Sequence, residues 1–131
     1  MATVVTNAGR AVAVNRLRGA GTEPLYVGWG TGAGTASVGT TALYTETEAD
    51  LSTTSGTRIT GSSSSYSTNV TGDTYRVTGT YTASGSGTVT NAGTFDAATI
   101  GAGNLFVHGD FTGIGLAAND AIAFTIDVVF G

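Results

Sequence analysis

Ala121-Ile122-Ala123-Phe124-Thr125-Ile126-Asp127-Val128-Val129-Phe130 is the stretch that decides the fold of this chain. Ile122, Phe124, Ile126, Val128 and Phe130 recur at every second position, with mostly smaller or polar residues between them. Successive side chains of an extended strand point to opposite faces, so the pattern makes one apolar face and one mixed face. The stretch reads as a strand with one side against a core. Working outward, Tyr75, Val77, Gly79 and Tyr81 alternate with Thr74, Arg76, Thr78 and Thr80. Gly79 leaves a gap on the apolar face that marks a bulge or a close backbone contact. Shorter β-rich runs lie at Leu25–Val27, Thr57–Thr60, Tyr66–Thr71, Thr88–Thr90 and Leu105–Phe111. Gly72-Asp73, Asn91-Ala92-Gly93 and Gly101-Ala102-Gly103 punctuate them. These elements predict an all-β fold, an antiparallel β-sandwich or jelly-roll-like arrangement of about seven or eight strands with one short N-terminal helix.

The helix is expected over Ala8–Arg18, with Asn7 capping its start and Gly19 ending it. Ala13, Leu17, Arg10 and Val14 then share one face, and Arg16 and Arg18 sit at the negative end of the helix dipole. The alternation Ala11-Val12-Ala13-Val14 also permits a strand. Residues 31–41 and 52–65 are poor in apolar side chains and are expected as flexible surface loops. Thr45 and Glu48 have capping-box spacing, which allows a helical turn near Glu46–Leu51. Thr-Asn-Ala-Gly occurs at 6–9 and again at 90–93, read as the same turn chemistry used twice. No linker composition divides the chain, so residues 1–131 are expected to form one domain, with 1–20 as its N-terminal strand or helix segment.

Composition narrows the function. Only 11% of the 131 residues are charged, and nine acids against five arginines give a net charge of −4. That balance argues against a nucleic-acid backbone binder. Without cysteine there is no disulfide, thiolate metal site or thiol nucleophile. The first residues lack a basic stretch followed by an apolar run, and no segment has the ~20 apolar residues of a membrane-spanning helix, so neither a secretory signal nor a membrane partner is expected. Val, Ile, Leu and Phe together make up only 28 residues. A core that thin must offset about 1–2 kcal/mol of backbone entropy per residue, which points to support from neighbouring subunits.

Candidate chemical motifs fall short individually. Gly28-Trp29-Gly30-Thr31-Gly32-Ala33 matches the glycine spacing of a dinucleotide loop, but poor helix formers follow it, and the phosphate site needs a helix N-terminus. A glycine-rich turn or bulge is the expected reading. His108 and Asp110 share a strand face, yet no serine elbow accompanies them, so His108 is expected at the surface or an interface. Glu46, Glu48 and Asp50 lack the spacing of a calcium loop. Trp29 beside Tyr26 could stack on a sugar, but a lone Trp among glycines more often packs at a turn or contact. The expectation is therefore no enzyme, no cofactor and no metal.

The segments Thr6–Arg10, Tyr26–Thr35, Thr40–Glu46, Val89–Asp96 and Leu105–Phe111, with the alternating final strand, carry a resemblance. Through them the chain resembles the small virion structural proteins of tailed bacteriophages. The resemblance implies a catalytically inert capsid decoration (cement) protein on the exterior of a phage head, bound to the major capsid protein and to itself, as a trimer. The alternative it implies is a tail- or fibre-associated protein that touches the host. In this reading Arg10, Arg16 and Arg18 meet acidic patches of the shell, and Trp29, Thr31 and Gly32 sit near a subunit contact.

Overall fold

The computed structural model describes residues Met1–Gly131 as nine strands and one helix. In chain order these are β1 (Thr3–Val5), α1 (Asn7–Leu17), β2 (Tyr26–Gly30), β3 (Glu46–Thr47), β4 (Ile59–Thr60), β5 (Ser62–Tyr66), β6 (Thr74–Thr82), β7 (Gly87–Phe95), β8 (Leu105–Leu116) and β9 (Ala121–Val129). Every strand pairing is antiparallel. The first sheet runs β1-β8-β7-β2-β3, with β4 also paired to β2, and the second runs β5-β6-β9. The fold is an all-β sandwich.

The two sheets are tied by one bent ribbon. β6 pairs with β9 in one sheet, while β7 pairs with β8 in the other. The bend is hydrogen-bonded: the Ala83 amide donates to Asp120 O and the Asn119 amide donates to Ala83 O. A long hairpin folded across two sheets is the wrapping step of a jelly roll.

The alternating face of β9 does turn inward. Ile122 and Phe124 pack against a core of Trp29, Leu51, Tyr81, Ala83, Val89 and Ala92, and Ile126 and Val128 pack against Val12, Phe106 and Val107. Gly79 allows close approach: a Cβ there would lie 3.1 Å from Ile59 Cδ1 and 3.3 Å from Val27 Cγ2. The interior is small, with 29 of 131 residues buried, and it includes Arg58, Asp73, Asn91 and His108.

The helix forms where expected, but its cap and buried face differ. Thr6, not Asn7, caps it, its Oγ1 accepting from the Gly9 amide at 2.9 Å. Gly19 follows the end with φ +77°. Gly9 and Val12 are buried, whereas Leu17 and Val14 are 86% and 61% exposed. The cause is close packing: a Cβ at Gly9 would lie 2.2 Å from Phe106 O, so the helix rests on β8 through its smallest residue. That contact turns the aliphatic end of the helix to solvent.

Several loops turn out to be structured. Within 52–65, Ile59–Thr60 and Ser62–Ser65 lie in strands, because β6 and β2 supply backbone partners that an exposed serine row accepts without any apolar face. Residues 31–41 form no strand and turn at Val38-Gly39, where the Thr40 amide donates to Ser37 O, but they are tied down. Asp110 accepts from the Ala36 amide at 2.7 Å, the Asn7 amide donates to Val38 O at 2.7 Å, and the Tyr44 hydroxyl donates to Thr35 O at 2.7 Å. Tyr66–Thr71 is mostly turn, gathered by Asp73, whose carboxylate accepts from the amides of Thr68, Asn69 and Val70. Asn91-Ala92-Gly93 lies inside β7, and Gly28 and Gly30 lie inside β2; none is a turn. Near Glu46–Leu51 a two-residue strand precedes a single turn closed by the Leu51 amide on Glu48 O.

Candidate functional site

α1 and its C-cap carry features that suit a contact surface. Arg10, Arg16 and Arg18 are all exposed, and the ion pairs of the molecule lie elsewhere, at Arg58–Glu46, Arg76–Asp127 and the N-terminus with Asp110. Arg16 Nη1 donates to Gly21 O at 2.7 Å, which holds its guanidinium over the helix end. Beside it lies a cleft of about 350 Å³ lined by Ala13, Arg16, Leu17, Glu23, Pro24, Tyr75, Phe106 and Phe130. Its lining is mainly apolar, and Phe130 is 59% exposed at its rim. Tyr75 donates its hydroxyl to Glu23 Oε1 at 3.1 Å, and burial together with that carboxylate pushes the phenol above its ordinary range. The cleft therefore offers apolar walls with one fixed carboxylate and one cation at its mouth.

Trp29 does not belong to this surface or to any other. It is fully buried, its ring stacked on Tyr81 with centroids 4.0 Å apart. The physical reason is its place in β2, a central strand flanked by β7 on one side and by β3 and β4 on the other. The same burial excludes a sugar platform. Thr31 and Gly32 are half-buried and extend the β2 pairing, their amides donating to Thr45 O and Tyr44 O. They lie at the β2–β3 side of the first sheet, while the arginines ride on the helix over β8. The structure thus separates the sequence-predicted contact residues: Arg10, Arg16 and Arg18 are exposed on α1 and its C-cap, with Arg16 alone lining the cleft, and Trp29 is core.

Gly28–Ala33 is not a nucleotide loop. β2 runs through Gly30, and the chain continues extended, with no helix following. The glycines make room for the loop folded over them. A Cβ at Gly28 would lie 2.4 Å from Glu46 Oε2, and one at Gly30 would lie 2.3 Å from Tyr44 O.

His108 is likewise interior. Its Nε2 lies 3.1 Å from Asn91 Oδ1 and its Nδ1 lies 3.0 Å from Thr40 Oγ1. Asn91 is oriented by the Tyr44 backbone, accepting from its amide at 2.9 Å and donating to its carbonyl at 3.0 Å. Oδ1 therefore faces the imidazole, and Nε2 carries a proton. Burial holds the His108 pKa below its ordinary value, with Asp110 opposing. Both ring nitrogens are engaged and the ring has no exposed surface, so it offers no base to an outside substrate. Asp110 serves the fold instead, held below the usual carboxylate range chiefly by the Ala36 amide and also by the Ala2 amide.

Two structural residues escaped the sequence reading. Arg58 is buried, forks onto Glu46 at 2.7 and 2.9 Å, donates to Ala97 O and Ala102 O, and stacks 3.4 Å from the Phe95 ring centroid. Asn91 joins the strands to the covering loop, as described. Neither belongs to an apolar period, the signal that marked the strands. Acids elsewhere are also committed to the backbone: Asp50 accepts from the amides of Thr53 and Ser52, which hold its pKa at about 2. No group of three His, Asp or Glu side chains comes together as a metal site.

Comparison with family models, curated proteins and solved structures finds no match to this chain.

Proposed function

We propose that this protein is a non-enzymatic virion structural protein that decorates the exterior of a phage head, docking on the major capsid protein through the exposed side of α1 and the adjoining cleft. The observation that carries the docking surface is an apolar cleft with the exposed Arg16 in its lining, at the end of a helix whose other arginines, Arg10 and Arg18, are also exposed and outside the ion pairs, on a molecule whose net charge is −4. Exposed cations along one helix of an acidic protein steer it toward an acidic partner, and the apolar side chains of the cleft beside Arg16 supply area to bury. The location on a phage head comes from the sequence resemblance.

The test uses purified particles. Copy number per particle should follow the number of shell subunits, and particles stripped of the protein should take it back. A variant with Arg10→Ala, Arg16→Ala and Arg18→Ala should rebind at least about tenfold more weakly, since removing charge at a contact rim slows association. Alanine is the best helix former, so the variant keeps α1. Only a few copies per particle would favour the tail or fibre reading, and unchanged rebinding by the triple variant would remove the arginine surface from the account.

A further inference from the structure

β9 is an edge strand: the second sheet runs β5-β6-β9, so one long side of β9 has no partner. Its unused hydrogen-bonding groups can be assigned. The Phe130 amide donates to Asp73 O and the Ala83 amide donates to Asp120 O, which places even-numbered residues in the ladder with β6. Ala121, Ala123, Thr125, Asp127 and Val129 therefore aim N–H and C=O outward, and all of them are exposed.

Proteins usually blunt such an edge with a proline, a lysine, a bulge or a short strand. β9 has none of these. It is nine residues long, it pairs with β6 without a register shift, and its single charge, Asp127, is held by Arg76 at 2.7 and 2.8 Å. The other sheet-end strands are shorter, at three residues in β1, two in β3 and five in the serine row of β5.

The geometry points to a second copy of this chain as the partner of β9, the two strands running antiparallel about a two-fold axis at Thr125. β9 is self-complementary about that residue. The register that overlaps its whole length sets Thr125 against Thr125, Ala123 against Asp127 and Ala121 against Val129 of the second copy. All of these are hydrogen-bonded pairs, giving about ten bonds between chains. On the inner face Ile122 meets Val128 and Phe124 meets Ile126, so the apolar row of one copy continues into the other. No like charges are opposed, and each Asp127 keeps its own Arg76. The result is one sheet, β5-β6-β9 continued by β9-β6-β5. A two-fold contact joins copies in pairs, where the phage resemblance implies three. Pairing through β9 stands whether or not the protein decorates a shell.

The test is the mass of the purified full chain by sedimentation over a wide concentration range. Wild type should approach twice the 13.0 kDa chain mass as concentration rises. Thr125→Pro removes an outward amide and should weaken pairing at least about tenfold. Thr125→Lys and Thr125→Glu should each stay monomeric, because position 125 faces itself. An equal mixture of the two should recover a one-to-one pair, which also shows that both variants are folded. The inference is overturned if wild type remains monomeric throughout, if its oligomer is indifferent to all three substitutions, or if the mixture pairs no better than either variant alone.

Discussion

β2 and β9 are both strands of the same sandwich, yet they are held by different means. β9 borders solvent, with Ile122, Phe124, Ile126 and Val128 turned in and Ala121, Ala123, Thr125, Asp127 and Val129 turned out. β2 lies in the middle of its sheet, and Val27, Gly28, Trp29 and Gly30 are all buried. Its covering loop is anchored by polar groups: Asn91 on Tyr44, and Arg58 on Glu46. An edge strand half in water needs alternation, whereas a strand covered on both faces needs only side chains that fit. The small interior thus relies on polar ties at its centre and on apolar patterning at its margin.

The largest effect should come from breaking a tie at the centre. Arg58→Met leaves the Glu46 carboxylate buried without its cation and should destabilise the protein by about 3–5 kcal/mol, read as a fall in the urea midpoint. Overpacking the same region comes next. Gly30→Ala would press a methyl group onto Tyr44 O and should cost about 1–3 kcal/mol in the same measurement.

A proline pair sharpens the contrast at the margin. Ile126→Pro removes an amide bonded to β6 and should cost about 1–3 kcal/mol. Thr125→Pro, one residue away, removes an amide that faces outward, so dilute protein should lose much less stability. Equal losses would mean that β9 is not an open edge.

The smallest effect concerns pH. His108 binds its proton less readily in the folded protein than in the unfolded chain, where its pKa is near 6.5. The unfolded state therefore takes up protons that the folded state refuses, and stability should fall as pH drops below about 6.5. His108→Gln should flatten that limb of the pH profile.

The contrast also explains what the sequence could disclose. The alternation of β9 and β6 was legible because each has one wet face, and it gave the fold class. β7 and β2 looked like turns at Asn91–Gly93 and Gly28–Gly30, because glycine and asparagine are usual turn formers. Here the glycines make space for the loop over the sheet, and Asn91 satisfies that loop's backbone. Trp29 looked like a contact residue for the same reason. Arg10, Arg16 and Arg18 were legible as belonging to one predicted helix and its end, although helical spacing sends Arg16 to a different face from Arg10. The cleft beside Arg16 was not legible, since Tyr75, Phe106 and Phe130 come from distant parts of the chain.

Amide hydrogen exchange followed over a range of protein concentrations puts both regions to the test at once. The amides of Thr125 and Asp127 should exchange quickly in dilute protein and slow as concentration rises, while those of Trp29 and Asn91 stay protected throughout. Exchange at Thr125 and Asp127 that ignores concentration, or exchange at Asn91 as fast as theirs, would contradict the account.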